Sequence, residues 1–327
     1  MKILVTGADG MLGSNLVREL LSRGHQVVAF LLANSPSRTL DGLDIEKRYG
    51  NLLDQQSLID ASADCEAIIH TAANTNIWPN RSEMVRKVNI EGTRHVIAAA
   101  LKHQVKRLLY VGTANSFGFG TKTQPGNEKQ PYRSARYGLD YMDSKYEAQQ
   151  LVLRACREEN LPAIIINPTF MLGPYDSKPG AGAMILAIYQ QKVPGYAVGG
   201  RNYIAAKDVA IAIANALTQG RVGECYIAGH QNMNYREAFG QIAEVVGVKA
   251  PGIKIPGSLS KIYGGLGTLY GKLTGNAPTV SLAMAQISCD EHYFSAQKAV
   301  DELQLPQTDI RIAIRESFDW LKENGYC

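Results

Sequence analysis

Ile3-Leu4-Val5-Thr6-Gly7-Ala8-Asp9-Gly10-Met11-Leu12-Gly13 is the stretch that decides the fold. Its first three residues have the length and branching of a buried parallel strand. Three glycines follow. Behind them Leu12, Leu16, Val17, Leu20 and Leu21 recur at helical spacing until Gly24 ends the helix. A strand, a glycine turn and a helix start together make a phosphate site. Glycines let backbone approach a pyrophosphate, and the helix N-terminus offers free N–H groups and a partial positive charge. Three glycines near a strand also suit a plain tight turn. Their place between strand and helix predicts a dinucleotide site instead, with Gly7, Gly10, Met11, Leu12 and Gly13 binding the cofactor.

The chain of 327 residues is long enough for one large domain and a smaller one. Hydrophobic content of 45% and charge of 20% are those of a globular protein in water. A net charge of +4, with no basic blocks, gives no footprint for nucleic acid or for an anionic membrane. The cysteines at 65, 156, 225, 289 and 327 are odd in number and far apart. None has metal-ligand or redox spacing, so no metal site and a reducing, cytoplasmic setting are expected. Because the sequence runs directly into the first strand, no signal peptide is expected, and no apolar run reaches the ~20 residues of a membrane span.

Farther along, Gln26–Leu32 reads as a second strand. In a dinucleotide fold its end faces the adenosine ribose, where an acid selects NAD. Leu32 to Arg38 carries no acid, so Arg38 becomes the candidate partner of a 2′-phosphate and NADP the expected cofactor, with NAD the alternative. Asp54 is a candidate N-cap. Residues 67–70 form another strand, and Thr71 to Asn74 place small residues at its end. His70 reads as a packed, hydrogen-bonded side chain. Ser82–His103 reads as a long helix with Asn89 near its apolar face, either as a buried polar group or as one that orders the site. Residues 108–111 and 163–167 are further strands, with a polar loop over 121–136 and a helix over about 137–159 between them. This alternation predicts an α/β, Rossmann-type doubly wound parallel sheet over residues 1–167. From Pro168 onward Pro and Gly rise. Residues 168–327 are expected to form mainly a smaller substrate-binding domain, with segments of about 203–229 packing back on the first. Leu259–Leu273 repeats apolar residues at helical spacing but includes four glycines, each costing about 1 kcal/mol in a helix. Core packing is its expected role, ahead of a mobile lid and a membrane-surface helix.

Chemistry concentrates at Tyr141-Met-Asp-Ser-Lys145. Residues four apart share a helix face. A neighbouring ammonium favours phenolate over phenol, so such a pair can move a proton at a substrate oxygen near neutral pH. Thr113, at a strand end, has a hydroxyl suited to orient the same oxygen. Among 16 tyrosines the spacing also occurs at Tyr203 and Lys207. That second pair lies in a strand-like run, which sets its members about 13 Å apart.

The order Thr6-Gly7-x-x-Gly10-x-x-Gly13, Thr113, Tyr141-x-x-x-Lys145 resembles the extended short-chain dehydrogenase/reductase superfamily, also called the NAD-dependent epimerase/dehydratase superfamily. His70 to Ala73, Asn89 to Thr93, Asn167 to Pro174 and Lys207 to Ala210 support the likeness. The C-terminal half, through Gly223 to Gly229 and Phe318 to Gly325, is most similar to the dihydroflavonol-4-reductase-like group. The resemblance implies that Tyr141 is the general acid in reduction and the base in oxidation, that Lys145 lowers its pKa and binds ribose, and that Thr113 orients the carbonyl. It places Asn51 and Leu52 by the adenine, Ala72 and Ala73 along the cofactor, and Pro168, Thr169 and Phe170 near the nicotinamide; Asn89 joins the cofactor-binding set. Members of this group usually have arginine where Leu32 stands, which shifts the weight of cofactor choice to Arg38. The family also implies a homodimer built on two long helices, with Ala98–Leu101 and Gln149–Leu153 as candidate faces.

Three functions follow. An NADP-dependent reductase of a ketone or aldehyde uses the complete Thr113, Tyr141, Lys145 set. A nucleotide-sugar epimerase uses the same groups on retained NAD. A non-catalytic NAD(P)-binding sensor belongs to a third class, whose members typically lack the tyrosine or the lysine. A sugar 4,6-dehydratase fits less well, because Ala114-Asn115 stands where those enzymes have Asp-Glu. The expected pocket, from 74–78, 115–119, 170–184 and Tyr203, suits a moderately apolar small molecule, carbonyl or alcohol.

Overall fold

The computed structural model describes residues 1–35 and 37–327; Pro36, in the loop read for cofactor choice, lies outside the described residues. The first half alternates as the sequence predicts: β1 (Lys2–Thr6), α1 (Met11–Ser22), β2 (Gln26–Leu31), β3 (Glu46–Tyr49), α2 (Gln55–Ser62), β4 (Ala67–His70), α3 (Glu83–Lys102), β5 (Arg107–Val111), α4 (Asp140–Glu158) and β6 (Ala163–Pro168). The second half adds β7 (Phe170–Leu172), α5 (Gly182–Tyr189), β8 (Gly195–Tyr196), β9 (Gly200–Ala205), α6 (Ala206–Asn215), β10 (Cys225–Ala228), β11 (Gln231–Asn234) and α7 (Tyr235–Val246). It closes with β12 (Ile253–Lys254), α8 (Gly257–Thr274), α9 (Leu282–Ser288), β13 (Glu291–His292), α10 (Gln297–Leu303) and α11 (Ile310–Glu323).

Seven strands form one parallel sheet in the order β10-β6-β5-β4-β1-β2-β3. The chain begins in the middle, builds outward to β3, and then reverses to add β4, β5 and β6 on the other side of β1. This is the doubly wound topology, and its switch point lies between β1 and β4. Successive strand residues point to opposite faces. Ile3 and Val5 pack with Leu16, Val17 and Leu20 of α1 and Ile213 of α6. Leu4 and Ile68 pack with Val96 of α3 and Ala148 and Val152 of α4 on the opposite face. With both faces covered, a strand must be apolar throughout, and residues 3–5, 67–69 and 163–166 are all fully buried. Each such Leu or Ile contributes about 1.5–3 kcal/mol of burial.

Beyond β6, strands β7, β11 and β13 gather on β9 in a small mixed sheet. Its core joins Leu172, Tyr203 and Met233 to Ile185 of α5, Ile242 of α7 and Phe318 of α11. Between these elements β10 returns to the large sheet beside β6, and α6 lies on α1.

Two expectations are corrected. The helix expected from about Tyr137 begins later. Ser134–Tyr137 is a 3₁₀ turn, and Gly138 at φ 61° breaks the path before α4 starts at Asp140. The second concerns α8, whose apolar stripe does not enter the core. Leu259, Ile262, Tyr263, Leu266, Leu269, Tyr270 and Leu273 are all exposed, while Gly264 and Gly271 are buried. The reason is close approach. A Cβ on Gly264 would lie 2.7 Å from the Ala285 side chain and 2.8 Å from the Ser281 carbonyl, and one on Gly271 would lie 2.5 Å from the Trp78 ring. The glycine face lets the helix seat on α9 and Trp78, and the apolar face is left outside.

This packing yields opposite outcomes at adjacent positions. A Cβ on Gly265 would meet nothing within 4 Å, so Gly265→Ala should raise stability by up to about 1 kcal/mol through helix propensity. Gly264→Ala should instead lower it by about 1–3 kcal/mol, because backbone atoms block the methyl. Urea midpoints of the two variants check this pair of signs.

Candidate active site

The glycine turn joins β1 to α1 at the carboxyl end of the sheet. Gly10 is the N-cap of α1, and no side chain caps that helix start, so its first N–H groups have no side-chain partner. Gly7 sits at φ 69°, and a Cβ there would lie 2.7 Å from the Ala72 backbone. A Cβ on Gly13 would lie 2.1 Å from the Gly7 carbonyl oxygen. The turn is therefore a backbone cradle with no room for a side chain at Gly7 or Gly13. Thr71 Oγ1 donates to the Thr6 carbonyl at 2.7 Å, which fastens the end of β4 to the end of β1. Ala72 and Ala73 follow in the same loop, next to the turn.

On the side of β2, Leu32 is exposed, and Arg38 is exposed at the start of a 3₁₀ turn over Arg38–Leu40. The loop itself carries no acid, but folding brings one there. The Asp9 carboxylate accepts a hydrogen bond from Ser35, and the Asp9 carbonyl accepts one from Thr39 at 2.9 Å. Asn51 and Leu52 follow β3. Leu52 lies against Gly92 of α3, where a Cβ would come within 3.2 Å, and its carbonyl is hydrogen-bonded to His95 at 2.8 Å.

Thr113 follows β5 and caps a short 3₁₀ turn. Tyr141 and Lys145 stand one turn apart on α4. Burial raises the Tyr141 phenol above its ordinary pKa, and the nearby Thr113 hydroxyl opposes that rise. Lys145 is buried. Its Nζ donates to the Val111 carbonyl at 2.6 Å and lies 4.5 Å above the Tyr110 ring. Burial pulls its pKa down to about 7. Tyr203 and Lys207 do not form such a pair: Tyr203 is fully buried in β9 and Lys207 is exposed on α6.

Around these groups runs a buried polar network that the sequence signals only in part. Asn89 of α3 donates to the Asn74 carbonyl at 3.0 Å and to Ser144 Oγ at 2.9 Å, and accepts from the Asn74 N–H at 2.8 Å. It therefore ties the loop after β4 to the turn of α4 between Tyr141 and Lys145. Asn167 of β6 donates to the Thr113 carbonyl at 3.0 Å and to Gln149 at 2.7 Å. Sequence reasoning does not single out Asn167 and Gln149 as site residues. Their signal is visible once the fold is known: an amide closing an Ile-Ile-Ile strand, and a glutamine one turn beyond Lys145 on the buried side of α4. Pro168 ends β6. Thr169 donates to Asn202 at 2.8 Å, and Phe170 meets Tyr203 edge-on with Arg201 above its ring at 4.9 Å. Arg201 and His292 also escape a reading of the sequence, since β13 brings them together by pairing with β9 far along the chain. His292 stacks on Phe119 at 4.1 Å and is hydrogen-bonded to Tyr137 at 3.0 Å. Tyr137, Leu139 and Met142 pack with Ile287 of α9, next to Ile77, Phe119 and Tyr141.

The model of the NAD dependent epimerase/dehydratase family matches residues 3–229. A protein of Synechocystis sp., provisionally named a dihydroflavonol 4-reductase, is 31% identical across 98% of this chain and 95% of its own length. Sterol demethylase protein B of Methylococcus capsulatus is 29% identical across 99% of both chains. The crystal structure of a nucleoside-diphosphate-sugar epimerase from Pseudomonas aeruginosa superposes with a TM-score of 0.82, at 28% identity over 100% of this chain and 99% of that one.

His70 behaves as a structural group. It is buried between Thr6 Oγ1 at 2.7 Å and Thr93 Oγ1 at 3.3 Å, and burial, helped by the Lys145 charge, holds its pKa down to about 3. The folded protein then binds no proton at His70 until about pH 3, whereas the unfolded chain takes one near pH 6.5. Stability contributed by this site is full above pH 6.5 and is lost as pH falls toward 3. His70→Gln should be less stable than the parent at pH 7, yet lose about 2 kcal/mol less between about pH 6.5 and 4.5. Urea unfolding of both proteins at the two pH values measures this difference.

Proposed function

Because the chain belongs to the NAD dependent epimerase/dehydratase family of extended short-chain dehydrogenases/reductases, we propose that it reduces a ketone or aldehyde to the alcohol with NADPH. The observation that carries this reading is the grouping of Thr113, Tyr141 and Lys145 at the carboxyl end of the sheet, where the uncapped start of α1 also lies. A bound nicotinamide dinucleotide supplies the hydride. The rest is chemistry of this chain's residues. The N–H groups at Met11 and Leu12 and the bare backbone of Gly7, Gly10 and Gly13 hold the pyrophosphate. Ala72, Ala73 and Asn89 line its path, Asn51 and Leu52 flank the adenine, and Pro168 to Phe170 flank the nicotinamide. Thr113 orients the substrate oxygen, and Tyr141 gives it a proton. Lys145, held on the Val111 carbonyl, binds the ribose and supplies positive charge on the tyrosine's side of the site.

The surroundings favour an apolar substrate. Ile77, Phe119, Tyr137 and Met142 form the cluster beside Tyr141. A relative is named for a sterol, which is an apolar molecule. A second reading, epimerisation of a nucleotide sugar on NAD, is favoured by one observation: Asp9 puts a carboxylate at the loop after β2, where an acid recognises a ribose hydroxyl.

Tyr141→Phe should lower kcat by at least about a thousandfold while NADPH affinity changes less than about threefold. Reduction of a panel of ketones and aldehydes, followed by NADPH absorbance, tests this, and full activity in the variant would refute the assignment. Arg38→Ala should raise KM for NADPH by about tenfold and leave that for NADH nearly unchanged. An enzyme that prefers NADH from the outset would transfer cofactor choice to Asp9.

A further inference from the structure

The apolar face of α8 is oriented outward by its packing, since the opposite face is fixed by glycines. At Gly264, Gly267 and Gly271 a Cβ would come within 2.3–2.8 Å of Ala285, Val280, Ser281 or Trp78 atoms. No leucine fits on that side, so the helix has one way to seat. Seven large side chains then project from it, from Leu259, 55% exposed, to Leu273, 79% exposed. Their spacing of three and four residues aligns them in one stripe about 120° wide. Two are tyrosines, whose rings suit the boundary between water and hydrocarbon. Ile253 on the neighbouring edge strand is 66% exposed.

The charge around this stripe is of one sign. From Val245 through Cys289 the chain contains no aspartate or glutamate, although 30 acids in 327 residues would place about four in a stretch of that length. The same stretch carries Lys249, Lys254, Lys261 and Lys272, all exposed. The modest net charge of the whole chain conceals this local field. An isologous pairing of two copies through α8 would set the lysines of one against those of the other. Anionic headgroups complement them, and the headgroup–acyl boundary takes up the apolar stripe. Among the described residues no helix is long and apolar enough to cross a membrane.

We propose that α8 is an interfacial docking helix, by which the protein lies on an anionic phospholipid bilayer without entering it as a span. Flotation of the full-length protein tests this, using vesicles of phosphatidylcholine alone or mixed equally with phosphatidylglycerol. The wild type is expected to float with the mixed vesicles, less with the neutral ones, and less again as salt rises. Leu266→Glu/Leu269→Glu should cut the bound fraction about tenfold or more, through loss of apolar contact. Glutamate supports a helix nearly as well as leucine, so an unchanged circular dichroism spectrum and melting temperature would separate this loss from misfolding. Lys261→Glu/Lys272→Glu keeps the stripe and should abolish the preference for anionic vesicles. Absence of wild-type flotation on the mixed vesicles would overturn the proposal, as would flotation indifferent to the leucine changes. So would a dimer by light scattering that Leu266→Glu/Leu269→Glu converts to monomer, since a second copy would then be the occupant.

Discussion

Everything at the site depends on how closely two pieces of backbone approach each other. Gly7 and Ala72 follow the adjacent strands β1 and β4, and a Cβ on Gly7 would fall 2.7 Å from Ala72. That approach sets the start of α1 directly over the point where the sheet reverses its winding. Thr71 fastens the contact by donating to the Thr6 carbonyl, and His70 braces the layer beneath by bonding both Thr6 and Thr93. With the crevice fixed in this way, the loops after β4, β5 and β6 all open into it, and each contributes one part of the candidate site. A side chain at Gly7 would part β1 from β4 and displace the helix start from those loops together.

The polar groups behind the site are positioned rather than simply buried. Lys145 places its amine in an apolar interior, where burial alone pulls its pKa to about 7. A buried cation with one carbonyl partner and one aromatic ring adds little net stability, because its desolvation offsets the attraction. Its position is nonetheless fixed, since Val111 belongs to the sheet. Asn89 and Asn167 hold the flanking backbone in the same manner, one through Ser144 and Asn74, the other through the Thr113 carbonyl and Gln149. Three amide side chains and a hydroxyl thereby lock α4 to two strand ends. A network of this kind is what holds a phenol and a threonine hydroxyl at a constant separation.

The large sheet is legible in the sequence because its signals are local. Strands covered on both faces must be continuously apolar, and the glycine turn marks the first crossover, so most strands and helices emerge within a residue or two. The group around Tyr141 is legible through its order along the chain. Arg201, His292 and the Asp9–Ser35 contact are not, because each depends on a register or loop closure between distant segments that no local pattern encodes. The α8 stripe misleads for another reason. Helical periodicity locates an apolar face but does not give its direction. Here a second face, of glycines, competes for the interior, and it prevails because it admits a separation between helices that leucines forbid.

This competition has a consequence for the site. Gly271 lies against Trp78, in the same loop as Asn74, which Asn89 grips. Ala283 and Ile287 of α9 pack on Tyr137, Leu139 and Met142, beside Tyr141. The α8–α9 pair therefore has an inner surface in the wall of the candidate active site and an outer surface facing away from the protein. Close glycine packing leaves little side chain between α8 and its supports. The same glycines that expose the stripe also seat α8 on Trp78 and on α9, whose far side packs beside Tyr141.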